Sequence, residues 1–334
     1  MTATSTAAAR RLAGWTPFRL YWQGPRAFVD WCYLGERRLV DPFYEQTVER
    51  SMRNPCNLLF RHQTPIETLG ELRDTEPGLA PSGFIFHTSR CGSTLISQML
   101  AALPQNVVVS EAPPIDSVLR AGFHNPALTE DERIEWLRWM IAALGRPRSV
   151  EERHYFIKFD CWSILALPLI KKAFPGVPRI FLYREPSEVM VSQLKRSGAH
   201  MIPGAIEPAL FDLESQEIFE MSHTEYVARV LAKICGAAIA HDDGTTLLLN
   251  YRQLPEAVWS TLPAFCGVEY TVPDVELMRR ASLRNAKNPV LDFADDSEEK
   301  ARAVTDEVRR LSQRWVEPLY RELEAARASQ SPTY

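Results

Sequence analysis

An apolar run, Gly83-Phe84-Ile85-Phe86-His87-Thr88, passes directly into the polar turn Ser89-Arg90-Cys91-Gly92 and then into an amphipathic stretch opened by Ser93 and Thr94. A helix that starts there turns its unpaired first-turn N–H groups and the positive end of its dipole toward the turn, which makes an anion site. Gly92 lets backbone approach a ligand closely, and Ser93 and Thr94 add hydroxyl donors. Arg90 adds a charged planar fork. The chemistry such a loop performs is phosphate binding. The structural alternative is that Ser93 merely caps a helix following a strand, and this segment alone leaves both readings open.

A nucleoside-triphosphate loop needs G-x-x-x-x-G-K-[ST], with a lysine reaching the β- and γ-phosphates. Here no glycine precedes Gly92 at that distance and no lysine follows it; the basic residue, Arg90, comes two positions earlier. The second strand-turn-helix unit is Arg179-Ile180-Phe181-Leu182-Tyr183 followed by Arg184-Glu185-Pro186, with Pro186 suited to the first helical position. Ser192 lies eight residues after Arg184 and Arg196 four after Ser192. That spacing predicts Ser192 and Arg196 on one helix face, aligned with Arg184. Ordinary surface basic residues on a solvated helix would leave the same trace. Two anion sites at the ends of neighbouring strands suit one ligand phosphorylated at both ends.

The elements that must position these residues follow from periodicity. Apolar runs at 83–88, 107–109, 154–159, 179–183 and 245–250 alternate with helical stretches at 93–103, 130–144, 163–174, 186–197 and 219–240. Strands apolar throughout and separated by helices predict a parallel sheet covered on both faces, an α/β three-layer fold. Residues 1–14 read as a disordered tail, with a short organelle-targeting peptide as the weaker alternative. Residues 15–82 read as an accessory region with a helix at 41–52 opened by Asp41-Pro42, and 297–326 as a terminal helix or helix pair, so the additions at both ends are expected to be helical. The core domain spans 83–334.

The 334 residues carry a net charge of −4, which argues against a nucleic-acid or membrane-surface partner and requires any anionic ligand to meet a local cationic cluster. Six scattered cysteines with no C-x-x-C pair predict reduced thiols and no metal site, and hence a cytoplasmic setting. No run is long enough to span a membrane.

The loop Ser89–Leu95 resembles the 5′-phosphosulfate loop of the PAPS-dependent sulfotransferase superfamily, and Tyr183–Ser192 resembles its 3′-phosphate motif, in which an arginine and a serine eight residues later hold the 3′-phosphate. The spacing is most similar to the tyrosylprotein sulfotransferase branch. There Glu111, 21 residues after Arg90, matches the catalytic carboxylate, and Arg196 a third 3′-phosphate position. Lys158 resembles the lysine that stabilises the transition state, and Tyr251 the tyrosine after the last central strand. The resemblance covers roughly residues 83–267. It implies a P-loop fold, 3′-phosphoadenosine-5′-phosphosulfate (PAPS) as co-substrate without a metal, and Arg90, Cys91, Gly92, Ser93, Thr94, Arg184, Ser192, Arg196 and Tyr251 as its contacts. Ser282 and Lys287 stand loosely where the family has a further serine and lysine.

The implied mechanism gives Glu111 the role of general base, with Arg90 and Lys158 neutralising charge on the transferring group. Asp160 is the rival base, because cytosolic sulfotransferases have a histidine two residues after the lysine; capping the next helix is its structural alternative. The sequence departs from the peptide-modifying branch at Pro113, near where that branch has a substrate-binding arginine, so the acceptor is a small molecule or a peptide other than its usual one. His87, inside a strand, reads as a packed core histidine. Trp136, Trp139 and Phe123 are candidates for an aromatic acceptor pocket, or for core. The competing readings are a nucleotide-dependent kinase with a degenerate loop and a non-catalytic nucleotide-binding protein. Neither the role of residues 15–82 nor the oligomeric state is legible.

Overall fold

The structure, a computed structural model, describes residues 12–287 and 297–330. Five strands form the central sheet: β4 (Pro81–His87), β5 (Asn106–Ser110), β6 (His154–Lys158), β7 (Arg179–Tyr183) and β8 (Thr246–Asn250). They are all parallel, in the order β5-β6-β4-β7-β8. Successive side chains of a strand point to opposite faces, and here both faces are buried. Phe84 and Phe86 of β4 belong to one core, Ile85 to the other. Val107 and Val109 oppose Val108 in β5, and Tyr155 and Ile157 oppose Phe156 in β6. This double burial is why these strands carry apolar residues at every position instead of alternating with polar ones.

Helices cover each face. Ser93–Ala101 and Val272–Ser282 pack on one side through Ile96, Met99, Leu100 and Met278. Glu130–Leu144 and His223–Ala240 pack on the other through Leu137, Met140, Val230 and Ile234. Glu130–Leu144 begins where the sequence places it because Thr129 and Glu132 make a reciprocal capping box. The stretch expected as one helix over 163–174 instead opens with a 3₁₀ segment, Cys161–Ala166, and becomes α-helical at Leu167–Ala173. Pro168, which has no N–H to give, sits at the start of the α-helix, where none is required. The C-terminal stretch forms Ser297–Arg302, Asp306–Leu311 and Glu317–Ser329. The last of these docks on the sheet, where Asn250 Nδ2 donates to Tyr320 Oη at 3.1 Å and to Glu324 Oε1 at 3.0 Å.

The N-terminal addition differs from the helical expectation. It holds a three-stranded antiparallel sheet of β1 (Trp15–Gln23), β2 (Arg26–Tyr33) and β3 (His62–Pro65). The turn Gly24-Pro25 joins β1 to β2, and Gly24 takes φ +57°, which an L-residue adopts only under strain. The aromatic and β-branched residues of this stretch suit strands, a signal masked by its many arginines and prolines. The ordered chain also begins before residue 15, since Leu12 is buried in the core; residues 1–11 lie outside the described residues. The helix expected at 41–52 runs Tyr44–Met52, and Phe43 before it is extended. Arg38 ties this segment to the core through Nη2 donation to Leu103 O at 2.6 Å and Ala101 O at 3.1 Å.

Because every strand of the central sheet runs the same way, five loops converge on its carboxyl edge. Both connections from β4 and from β6 cross over a neighbouring strand, so the edge above β4 is the topological switch at which open α/β sheets bind ligands.

Candidate functional site at the carboxyl edge of the sheet

The loop after β4 is built on unusual backbone. Ser89 takes φ +62°, Arg90 +52° and Gly92 +91°, and Glu111 after β5 takes +51°. Three of the four non-glycine residues with positive φ among the described residues are therefore in this one site. Such strain persists only where surroundings fix it, and they do. Ser89 N donates to His87 Nδ1 at 2.9 Å, Gln193 Nε2 to Ser89 Oγ at 3.0 Å, and Cys91 Sγ to Leu182 O at 3.3 Å. Gly92, not Ser93, is the N-cap of Ser93–Ala101, and no side chain caps that helix. The reading of Ser93 as a simple cap is thus not what the fold adopts. A Cβ on Gly92 would come within 2.9 Å of both Tyr251 Cδ2 and Leu254 Cδ1.

Arg90 Nε donates to Ser192 Oγ at 2.7 Å, joining the two anion motifs across 102 residues of sequence. Arg184, at the end of β7, stacks on the Tyr251 ring with Cζ 4.0 Å from its centroid. Its Nε also donates to Glu188 Oε2 at 2.6 Å, a carboxylate one turn into the next helix. Arg90, Gly92, Thr94, Arg184, Ser192, Tyr251 and Lys287 line a cavity of about 240 Å³. Arg196 departs from the expected helix face. The helix ends at Lys195, Arg196 is extended at φ −152°, and the turn is closed by Gly198 N donating to Gln193 Oε1 at 3.0 Å. Its side chain lines the neighbouring cavities instead. Ser282 does not join the cluster; its hydroxyl donates to Arg279 O within its own helix, at 2.8 Å.

A second cavity, of about 640 Å³, adjoins the first and shares Arg90, Ser93, Thr94, Asn285 and Lys287 with it. Its other walls include Phe43, Gln46, Glu111, Asp160, Trp162 and His200. Glu111 Oε1 lies 2.6 Å from Lys158 Nζ, and Glu111 N donates to Lys158 O at 2.7 Å. The Lys158 side chain is 0% exposed and that of Glu111 24%. The ammonium therefore lies behind the cavity wall, 3.4 Å from Thr94 Oγ1 and 4.9 Å from the centre of the Phe43 ring. Burial alone would raise the Glu111 carboxyl, but the charge of Lys158 and the hydrogen bond from His87 hold it well below its ordinary value. Burial in the cavity, and then the cations Arg90 and Lys158, lower the Lys287 ammonium to about 8.

His87 is buried as expected but is more than core packing. Its Nδ1 accepts from Ser89 N, which leaves the proton on Nε2, 3.1 Å from Phe159 O and 3.4 Å from Glu111 Oε1. Asp160 occupies the N-cap position of Cys161–Ala166 but makes no side-chain cap bond, and its carboxyl faces the cavity. Burial, followed by the charges of Glu111 and Asp116, raises it well above the carboxylate range. Trp136 and Trp139 pack away from the site, Trp136 against Trp22 and Trp139 against Gly70, and Phe123 is exposed. The aromatic rings that do reach the cavity are Phe43 and Trp162.

No protein-family model matches the chain, and no curated protein matches it. Its backbone is similar to solved sulfotransferase structures. One is a sulfotransferase domain from the curacin biosynthetic pathway, 16% identical over 71% of this chain and 97% of that one, with a TM-score of 0.41. A sulfotransferase of Mycobacterium avium is 13% identical over 76% of this chain and 80% of its own, with a TM-score of 0.45. A mouse sulfotransferase complexed with PAP is 14% identical over 78% and 90%, with a TM-score of 0.35. Among the described residues, no group of His, Cys, Asp and Glu is arranged to hold a metal, none of the six cysteines is in a disulfide, and no helix is long and apolar enough to cross a membrane.

Proposed function

We propose that this protein transfers a sulfuryl group from PAPS to a hydroxyl of a small acceptor. The observation that carries the reading is the pair of adjoining cavities at the sheet edge, one lined by guanidinium, hydroxyl and lysine groups and the other by Glu111, with Arg90 and Thr94 in the wall common to both. The first fits a ligand anionic at both ends. Gly92 carries no Cβ to push against Tyr251 and Leu254, the first-turn N–H groups of Ser93 and Thr94 lack partners within their helix, and Arg184 and Ser192 are placed for the far phosphate beside the Tyr251 ring. PAPS bound there supplies a sulfuryl group on a phosphate leaving group.

The chain's own residues do the rest. Arg90 and the Thr94 hydroxyl meet the charge that develops on the transferring oxygens, and Lys158 acts on them from beneath through Thr94, where low dielectric makes its charge count. Glu111 takes the proton of the acceptor hydroxyl as the new S–O bond forms and the S–O bond to the leaving phosphate breaks. A carboxylate paired with an ammonium at 2.6 Å is a weak base. An anionic group brought against Thr94 shares the Lys158 ammonium with Glu111, so donor binding restores basicity to the carboxylate when it is needed. His87 Nε2–H keeps Glu111 in place. The N-terminal addition contributes Phe43, which covers Lys158, and Gln46.

Calorimetry with adenosine 3′,5′-bisphosphate and with ATP tests the donor assignment, followed by a PAPS-supplied assay with mass detection over hydroxyl and amine acceptors. Tighter binding of the bisphosphate and sulfuryl transfer are expected. Tight ATP binding indifferent to the 3′-phosphate would remove the reading in favour of a nucleotide-dependent kinase.

A further inference from the structure

The acceptor cavity contains a polar group that the mechanism leaves unused. Glu111 is committed to Lys158 at 2.6 Å. Asp116 nearby is committed twice, to Trp162 Nε1 at 2.7 Å and Arg120 Nε at 2.8 Å. Asp160 alone of these three has no hydrogen-bond donor directed at its carboxyl among the described residues, although it lines the cavity. Partly buried polar groups rarely persist without a partner, and this one faces the space in which an acceptor would lie. Trp162 lies two residues further on, with its indole fixed by Asp116 and its ring 5.4 Å from that of His200. The fixed indole, Asp160 and Glu111 thus line one cavity.

We propose that Asp160 determines acceptor specificity by hydrogen-bonding a second hydroxyl adjacent to the one that Glu111 deprotonates, so that the acceptor is a ring-borne vicinal diol, as in a catechol or a sugar. The inference rests on the sulfuryl-transfer reading. It follows from what lines the cavity: a fixed aromatic side chain to pack on a ring, a base for one hydroxyl and a carboxyl for its neighbour. Burial and the neighbouring carboxylates raise the Asp160 carboxyl well above the carboxylate range and so favour its neutral form, which can donate to or accept from a neutral hydroxyl.

The test compares matched acceptors, catechol against phenol and a methyl glycoside against its deoxy analogue, in wild type, Asp160→Ala and Asp160→Asn. A site built to bond a hydroxyl discriminates against its absence, so wild type should favour the diol by about ten- to a hundredfold in kcat/KM. Asp160→Ala should bring that ratio to within about threefold of unity. Asp160→Asn, which keeps the shape and a neutral donor and acceptor, should retain most of it and also guards against a folding defect in the alanine variant. A ratio near unity in wild type, or one preserved in Asp160→Ala, overturns the proposal. So does loss of both members of a pair by equal factors in Asp160→Asn, which would make Asp160 the base. Absence of transfer to every acceptor by protein that binds adenosine 3′,5′-bisphosphate tightly also counts against it, whereas failure to bind that ligand removes the underlying functional reading.

Discussion

Replacing Glu111 by glutamine removes one charge from a pair whose other member is fully buried, with separate consequences for stability, turnover and donor affinity. Lys158 is 0% exposed and depends on Glu111 for its charge partner, with the Thr94 hydroxyl and the Phe43 ring as its other neighbours. Breaking a wholly buried pair costs about 3–5 kcal/mol. Glu111 is 24% exposed, so solvent already screens the pair and the expected cost is smaller, about 1–3 kcal/mol. For a chain of this size that lowers Tm by several degrees without unfolding the protein. Catalysis responds differently. Loss of a general base costs about 10²–10⁴-fold in kcat, while the affinity for adenosine 3′,5′-bisphosphate should hold or improve, because a negative charge has left the donor's surroundings. Thermal denaturation, calorimetry with the bisphosphate and initial rates of transfer read the three quantities separately. A variant with turnover within threefold of wild type would refute the assignment of Glu111 as base, and weakened bisphosphate binding would refute the claim that Glu111 and the donor compete for Lys158.

Gly92→Ala forces a Cβ to within 2.9 Å of Tyr251 and Leu254 at a φ of +91°. The expected effects are about 1–2 kcal/mol of destabilisation from the backbone and, as Tyr251 shifts from beneath Arg184, at least tenfold weaker bisphosphate binding by calorimetry; unchanged affinity would contradict the cradle described here. Ser192→Ala removes the hydroxyl bonded to Arg90 Nε. It should weaken adenosine 3′,5′-bisphosphate by about three- to tenfold and leave adenosine 5′-phosphate unaffected, and equal loss for both ligands would take Ser192 out of the 3′-phosphate site. Lys287, lowered to about 8, loses its charge as pH rises above that value. A bound anion favours the protonated form, so bisphosphate affinity should fall between pH 7 and 9, and Lys287→Met should bind more weakly at pH 7 with a flatter profile. The same group acts on stability with the opposite sign. Unfolded lysine keeps its proton toward its ordinary 10.5, so between about 8 and 10.5 the unfolded state binds more protons and the ligand-free protein gains stability with rising pH.

The five central strands were legible because burial on both faces writes an unbroken apolar run into each of them, and the loop after β4 because a strand, a glycine and two hydroxyl residues lie within a dozen positions. Local signals do not report how the chain returns to that loop. Arg90 and Ser192 are 102 residues apart, and only the β4–β7 pairing, with His87 opposite Leu182, brings them within 2.7 Å. Phe43 and Gln46 carried no motif at all, since they reach the cavity because Arg38 anchors the preceding segment to the far side of the helix Ser93–Ala101. The core reading of His87 holds for its burial and is incomplete for a related reason. A histidine within an apolar run looks like core packing, and it is buried, but it is also the last residue of a parallel strand, where the backbone delivers side chains to the ligand-binding edge. The end of a buried parallel strand is therefore where a polar residue calls for a chemical explanation, and Lys158, last in β6, and Arg184, just past β7, obey the same rule. Asp160 extends it by two residues. It stands past the strand end with its neighbour Trp162 held by Asp116, and its carboxyl is left to a partner the protein does not supply.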